Sequence, residues 1–167
     1  MFTRMKNITK WMSRKRNDIA LVMIWTAIVA LVVIKAYWFT YASSIRLSYF
    51  KIVFPGYEGL RPGLLDMLII AAAGVFVGLF LSDVKEMLYG YVTAMASAFI
   101  VSVVYVTLYI WYVLEFGSVF GAVAYDWEWA VYIALSVVFT LMFPWIIGVC
   151  LVSLAFGAFL RTWLELP

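Results

Sequence analysis

Two apolar runs joined by a five-residue polar turn leave this chain few ways to fold. The first run, Leu64–Leu81, reads LLDMLIIAAAGVFVGLFL; the turn is Ser82–Glu86 and the second run is Met87–Val113. At about 1.5 Å of helical rise per residue, eighteen residues come close to crossing a bilayer core about 30 Å thick. Hydrocarbon offers no water to backbone N–H and C=O groups, so each run is expected as a helix that satisfies its own. A turn this short makes the two helices antiparallel neighbours. Ser82 or Asp83 suits the N-cap of the second helix, and Glu86 stands at capping-box spacing from Asp83.

Two more runs complete the pattern. Ile19–Ile34 is uninterrupted and ends at Lys35 and the aromatic cluster Tyr37-Trp38-Phe39; Ala130–Leu160 follows a second loop. Basic flank plus apolar run resembles a secretory signal, but bulky aromatics stand where a cleavage site needs small residues, so the run is read as a retained span. The expected fold is therefore all-α: an integral membrane protein of one domain, residues 1–167, with four transmembrane helices in a bundle. The spans fall near residues 19–39, 64–81, 87–113 and 130–160, with outer loops at 40–63 and 114–129. Met87–Val113 is about 40 Å long as a helix and must tilt or project. Pro144 has no N–H to give to the Thr140 carbonyl, which predicts a kink in the fourth span. Ser43–Phe54, inside the first loop, has neither a clean helical nor a clean strand period and is read as an interfacial segment.

Charge sets the orientation. Six of the twelve basic residues lie in the flank, residues 1–18, as Arg4, Lys6, Lys10, Arg14, Lys15 and Arg16. With both termini cytoplasmic, these join Lys85 and Arg161 to make eight basic residues inside, against Lys35, Arg46, Lys51 and Arg61 outside. The positive-inside rule therefore places both ends in the cytoplasm of a cell-membrane protein. The basic excess is a membrane flank and not a nucleic-acid surface, so the expected partners are the lipid bilayer and other membrane subunits, with no nucleic acid. A chain with 67% apolar and 13% charged residues agrees, since soluble domains carry about a quarter charged residues. The sequence also has no glutamine and two asparagines, which suits a thermophilic source and a strongly apolar chain equally.

What is missing excludes chemistry. There is no histidine for haem ligation or proton relay, and Cys150 alone forms neither a CxxC pair nor an intrachain disulfide. No zinc ligand set, nucleophile–base pair or Gly-rich phosphate loop is present, so no cofactor, metal or catalytic residue is expected. Ion-coupled transporters place an ionisable group deep in the membrane, and none of the expected spans has one near its midplane.

Four residue patterns remain. Gly74, Gly78 and Ser82 form a small-residue ridge on the second span, and Gly90, Ala94, Ala98 and Ser102 form one on the third. Such ridges let helix backbones approach. In an antiparallel hairpin Gly78 should meet Gly90 and Gly74 should meet Ala94. Ser102, Tyr105, Tyr109 and Tyr112 share one side of the third span and suit a ligand or pore wall, although interfacial tyrosines are commonplace. Ser136, Thr140, Pro144 and Gly148 make an i, i+4 line on the fourth span, a candidate gate or a packed kink. Lys35 and Asp66 come to similar depth at the outer ends of their spans and either pair or face the headgroups separately.

These features point to a non-catalytic accessory subunit of a larger membrane complex, respiratory or otherwise energy-converting. The alternative is a small homo-oligomeric channel or transporter.

Overall fold

A computed structural model describes the backbone of residues 2–39, 62–81, 83–115 and 127–164, and the side chains of residues 17–39, 62–81, 83–111, 128 and 130–164. The interfacial reading of residues 43–54, the second loop up to residue 126, and the side chains of Ser82, Tyr112 and the basic flank fall outside these.

The described residues form helices: α1 is Phe2–Tyr37, α2 Leu64–Phe80, α3 Val84–Glu115, α4 Trp127–Leu141 and α5 Ile147–Trp163. α4 and α5 are two halves of one apolar stretch, Ala130–Trp163, joined through a kink at Met142–Ile146. Three stretches, Asn17–Tyr37, Val84–Trp111 and Ala130–Trp163, are long and apolar enough to cross a membrane; α2, with 17 residues, is shorter and still strongly apolar.

Local chemistry explains the helix limits. The basic flank belongs to the same helix as the first span, because Lys, Arg and Met are good helix formers and no Pro or Gly interrupts them. α2 starts behind Pro62-Gly63, where Gly63 is extended and its carbonyl accepts from the Met67 N–H at 3.0 Å. It stops at Leu81, which turns extended. α3 starts three residues before the expected Met87 because Asp83 caps it. The Asp83 Oδ1 accepts from the Lys85 N–H at 3.1 Å, and its carbonyl accepts from the Met87 N–H at 2.9 Å.

The break between α4 and α5 lies at Phe143, whose φ of −102° and ψ of 133° are non-helical, ahead of a cis peptide to Pro144. The residue before a proline is driven from the α region by contact with the ring, so the helix breaks one residue earlier than the proline itself.

Packing follows the order of the chain only in part. α2 packs most extensively on α5, α1 on α3, and α3 on α4, while the hairpin partners α2 and α3 barely touch. The interior is built from Trp25, Val29 and Val33 of α1, Ile70 and Val77 of α2, Ala94, Ala98 and Val106 of α3, and Ala134, Val138, Leu141, Ile146 and Cys150 of the last apolar stretch. Large side chains such as Leu31, Leu68, Phe76, Phe80, Phe156 and Phe159 face outward. Gly74, Gly78, Ala94, Ala98 and Ala134 are buried among the larger Trp25, Ile70 and Leu141, and small residues at such positions let helix backbones approach closely.

Candidate functional site

Glycines carry the tightest junction. A Cβ built on Gly74 would collide with the Ser153 side chain, and one on Gly157 would collide with the Val75 carbonyl. At Gly78 it would lie 2.5 Å from the Leu154 carbonyl oxygen and 3.0 Å from the Gly157 Cα. The Gly74–Gly78 ridge therefore meets Cys150, Ser153, Leu154 and Gly157 of α5, and not the α3 ridge. Gly90 instead faces Val22 of α1 and Leu81, while Ala94 and Ala98 are wholly buried on the same side of α3. The expected facing of Gly78 with Gly90 and Gly74 with Ala94 is thus corrected: the short turn makes α2 and α3 consecutive, but α5 has the small surface that lets α2 come close. Ser153-xxx-Gly157 was the sequence signal for this, a second small-residue pair at helical spacing.

At the end of the bundle near Asp83, Arg161 reaches back to α2. Its Nη1 donates to the Leu81 carbonyl oxygen at 2.9 Å. That carbonyl sits where a helix terminus leaves oxygens without intrahelical donors and where the helix dipole is negative. Arg161 thus does more than mark the end of the last span: it closes α2. Replacing it by leucine should cost about 1.5–3 kcal/mol, as for hydrogen bonds to charged groups. Hydrogen exchange should speed up in the last turn of α2 while α3 keeps its protection; unchanged exchange there would contradict the capping role.

At the opposite end, Lys35 and Asp66 form an ion pair between α1 and α2, Nζ to Oδ1 2.6 Å. Asp66 is buried at the start of α2, where a carboxylate also suits the positive end of the helix dipole. The Lys35 ammonium additionally lies 5.8 Å from the centre of the Phe39 ring.

The tyrosine stripe is occupied by the protein itself. The Trp38 Nε1 donates to the Tyr105 hydroxyl at 2.9 Å, and the Tyr109 ring meets Trp38 edge-on at 4.7 Å and Tyr37 at 5.7 Å between centroids. Ser102 is fully buried, and its hydroxyl has no hydrogen-bond partner among the described residues. These residues fasten α1 to α3. Sequence spacing placed them together on α3 but gave no hint of Trp38 as their partner.

Nearer the middle of the bundle, Trp25 of α1 packs on Tyr91 of α3 at 6.2 Å between centroids. The Tyr91 hydroxyl donates to the Ile147 carbonyl oxygen at 3.1 Å, just past the break. Neither residue stood out in the sequence, since one aromatic in an apolar helix looks like any other.

The Ser136–Gly148 line points outward. Ser136, Pro144 and Phe143 are exposed, Thr140 is half-exposed and donates to the Ser136 carbonyl at 2.8 Å, and a Cβ on Gly148 would meet nothing within 4 Å. Beside it lies a groove of about 510 Å³ lined by Phe99, Leu135, Ser136, Phe139, Thr140 and Phe143. Its wall is aromatic and aliphatic, with Phe139 and Phe143 stacked at 5.6 Å. Among the described residues no group of three or more His, Cys, Asp or Glu side chains is arranged to hold a metal ion.

No family model, curated protein or solved structure matches this chain.

Proposed function

We propose that the chain is a non-catalytic, four-helix subunit of a larger membrane complex, a single domain with both termini in the cytoplasm. One observation carries this reading. The charged groups reaching the described helix junctions are consumed by the fold, Lys35 by Asp66 and Arg161 by the Leu81 carbonyl, while the outward surface is aromatic and aliphatic and is notched beside Ser136 and Thr140. The interior offers packing, and the surface offers contact to lipid and to other helices. A respiratory or other energy-converting assembly is one setting with room for such a subunit. Gentle solubilisation of native membranes should bring the chain out in fixed ratio with larger subunits. Recovery only as a lone monomer would overturn the proposal.

A second reading rests on the outward hydroxyls. Ser136 and Thr140 face away from the bundle, where copies of the chain would meet, so a homo-oligomeric channel or transporter would have them in its wall. Purified protein in liposomes should then conduct ions or pass small solutes, and Thr140→Val should change the rate. Silent liposomes across ions and small solutes would remove this reading.

A further inference from the structure

α1 is longer than the bundle it belongs to. Val22 lies against Gly90 and Trp38 bonds to Tyr105, so α1 and α3 run parallel, with residue 16 of α1 level with the start of α3 at Val84. α2 and α5 end at the same side, since Arg161 bonds to the Leu81 carbonyl. Residues 2–15 of α1 therefore run on past the ends of the other described helices, by about 21 Å at the ordinary helical rise. Sharp bends in helices need a proline, a glycine or a comparable break, and this stretch has neither residue. The extension is thus continuous with the Asn17–Tyr37 stretch and points away from the bilayer instead of lying along it.

On its own this extension is a poor helix. Its first turn has no acid, although the helix dipole favours one there, and its six basic residues meet no acid in the sequence before Asp18. Lys6, Lys10 and Arg14 follow one another at i, i+4, the spacing at which like charges oppose a helix. A free helix shorter than about 12–15 residues is marginal in water besides. A negatively charged partner running along the extension offsets these costs.

Helical spacing gives that partner its shape. At about 3.6 residues per turn, Met5, Ile8 and Met12 fall within one narrow arc. Arg4 and Lys15 fall at one edge of this arc and Arg16 at the other, while Lys6, Lys10 and Arg14 fall on the opposite side. An apolar seam rimmed by cations matches an apolar seam rimmed by carboxylates, which is an acidic amphipathic helix. A nucleic-acid backbone would use the cations and leave the seam bare. A second copy of this chain would bring like charge to like charge. Anionic headgroups lie at the foot of the extension and not along it.

We propose that residues 2–16 of α1 are a docking helix for an acidic amphipathic segment of another protein, seated on the Met5, Ile8 and Met12 seam at the Val84 side of the membrane. This names the chemistry of one partner and rests on the reading of the chain as a subunit of a larger complex.

A photoreactive amino acid placed singly at Met5, Met12, Lys6 or Lys10 of the full chain, and irradiated in native membranes, tests it. Met5 and Met12 should give one shared protein adduct, and mass spectrometry should place the link in a segment with acidic residues at helical spacing about apolar ones. Lys6 and Lys10 should give little of it. Arg4→Gln with Lys15→Gln and Arg16→Gln should lower the Met12 adduct about tenfold, the effect of three exposed charge pairs of ordinary strength. Lys6→Gln with Lys10→Gln and Arg14→Gln removes the same charge from the flank and should leave the adduct nearly unchanged. The proposal is overturned if the Met5 and Met12 labels go to lipid, nucleic acid or a second copy, if the linked segment is not acidic, or if the two triple variants act alike. The comparison of label positions keeps every rim charge in place, so it decides the matter even where a triple variant fails to insert. Recovery in fixed ratio with larger subunits beside an unlabelled seam removes the docking helix and keeps the subunit reading; recovery as a lone monomer removes both.

Discussion

Gly78→Leu is expected to separate α2 from α5 and to lower the unfolding midpoint in a denaturing-detergent titration more than any other single substitution considered. A Cβ at Gly78 already falls 2.5 Å from the Leu154 carbonyl oxygen and 3.0 Å from the Ala158 nitrogen and the Gly157 Cα. All three obstructing atoms are backbone, which cannot rotate aside as a side chain would. Overpacking a well-packed site costs about 1–3 kcal/mol, and the rigidity of these neighbours puts this site at the upper end. Gly157→Leu, on the facing helix, should have a similar effect, and combining the two should cost less than their sum because they remove one shared contact. Gly148→Ala supplies the contrast. A Cβ there meets nothing within 4 Å, so only helix propensity acts, and the variant should be neutral or more stable by about 0.5–1 kcal/mol. A Gly78→Leu protein with the wild-type midpoint would falsify the interlocked α2–α5 junction.

Lys35→Met is expected to destabilise the protein more than Asp66→Asn. The side chains are 49% and 10% exposed respectively, so the two halves of the pair differ in what they leave behind. Without Lys35, a buried carboxylate at the start of α2 keeps its desolvation cost and loses its counter-charge. Breaking a fully buried pair costs about 3–5 kcal/mol, and the half-exposure of Lys35 reduces that to about 1–3 kcal/mol. Without Asp66, the Lys35 ammonium extends along its aliphatic stem to headgroups or water, for a loss of about 1 kcal/mol or less. The double variant Lys35→Met with Asp66→Leu should recover most of the loss, since it removes both charges from the junction. Thermal unfolding of the three variants in one detergent decides the order. Asp66→Asn proving the more harmful would mean that the carboxylate is not the desolvated partner.

Much of the helical framework was legible because its cause is local. The runs at Ile19, Leu64, Met87 and Ala130 are long and apolar enough to be helices in hydrocarbon whatever surrounds them. Asp83 caps α3 through atoms two and four residues away. Pro144 breaks the last apolar stretch through its own missing N–H and through the ring's effect on Phe143. The helices nonetheless overran the expected limits at several ends, with α1 running back to Phe2 and α4 to Trp127. Polar and aromatic residues bounding an apolar run mark where hydrocarbon stops, and helical hydrogen bonding need not stop with it.

The contacts that make up the candidate site were not legible in the same way. A ridge such as Gly74-xxx-Gly78 states that some backbone comes close, but nothing in it names which. Arg161 and Leu81 are 80 residues apart, and their bond exists only because α5 descends beside α2. Trp38, Tyr105 and Tyr109 fill one another's surfaces for the same reason, so a stripe that suits a ligand when α3 is viewed alone is closed once α1 is added.

By itself the sequence determined that this chain is helical, where three long apolar helices and a shorter fourth lie, where one helix is capped and where one must break. Each of these follows from forces acting within a few residues or between a single helix and its solvent. Only the tertiary structure decided that α2 belongs to α5 and not to α3, that Lys35 and Asp66 meet, and that the Ser136–Gly148 line faces outward. Helices of similar hydropathy gain little from one arrangement over another in lipid, so the choice falls to shape. The narrowest pair of surfaces, Gly74 and Gly78 against Ser153 and Gly157, comes together, and the remaining helices take the places that are left.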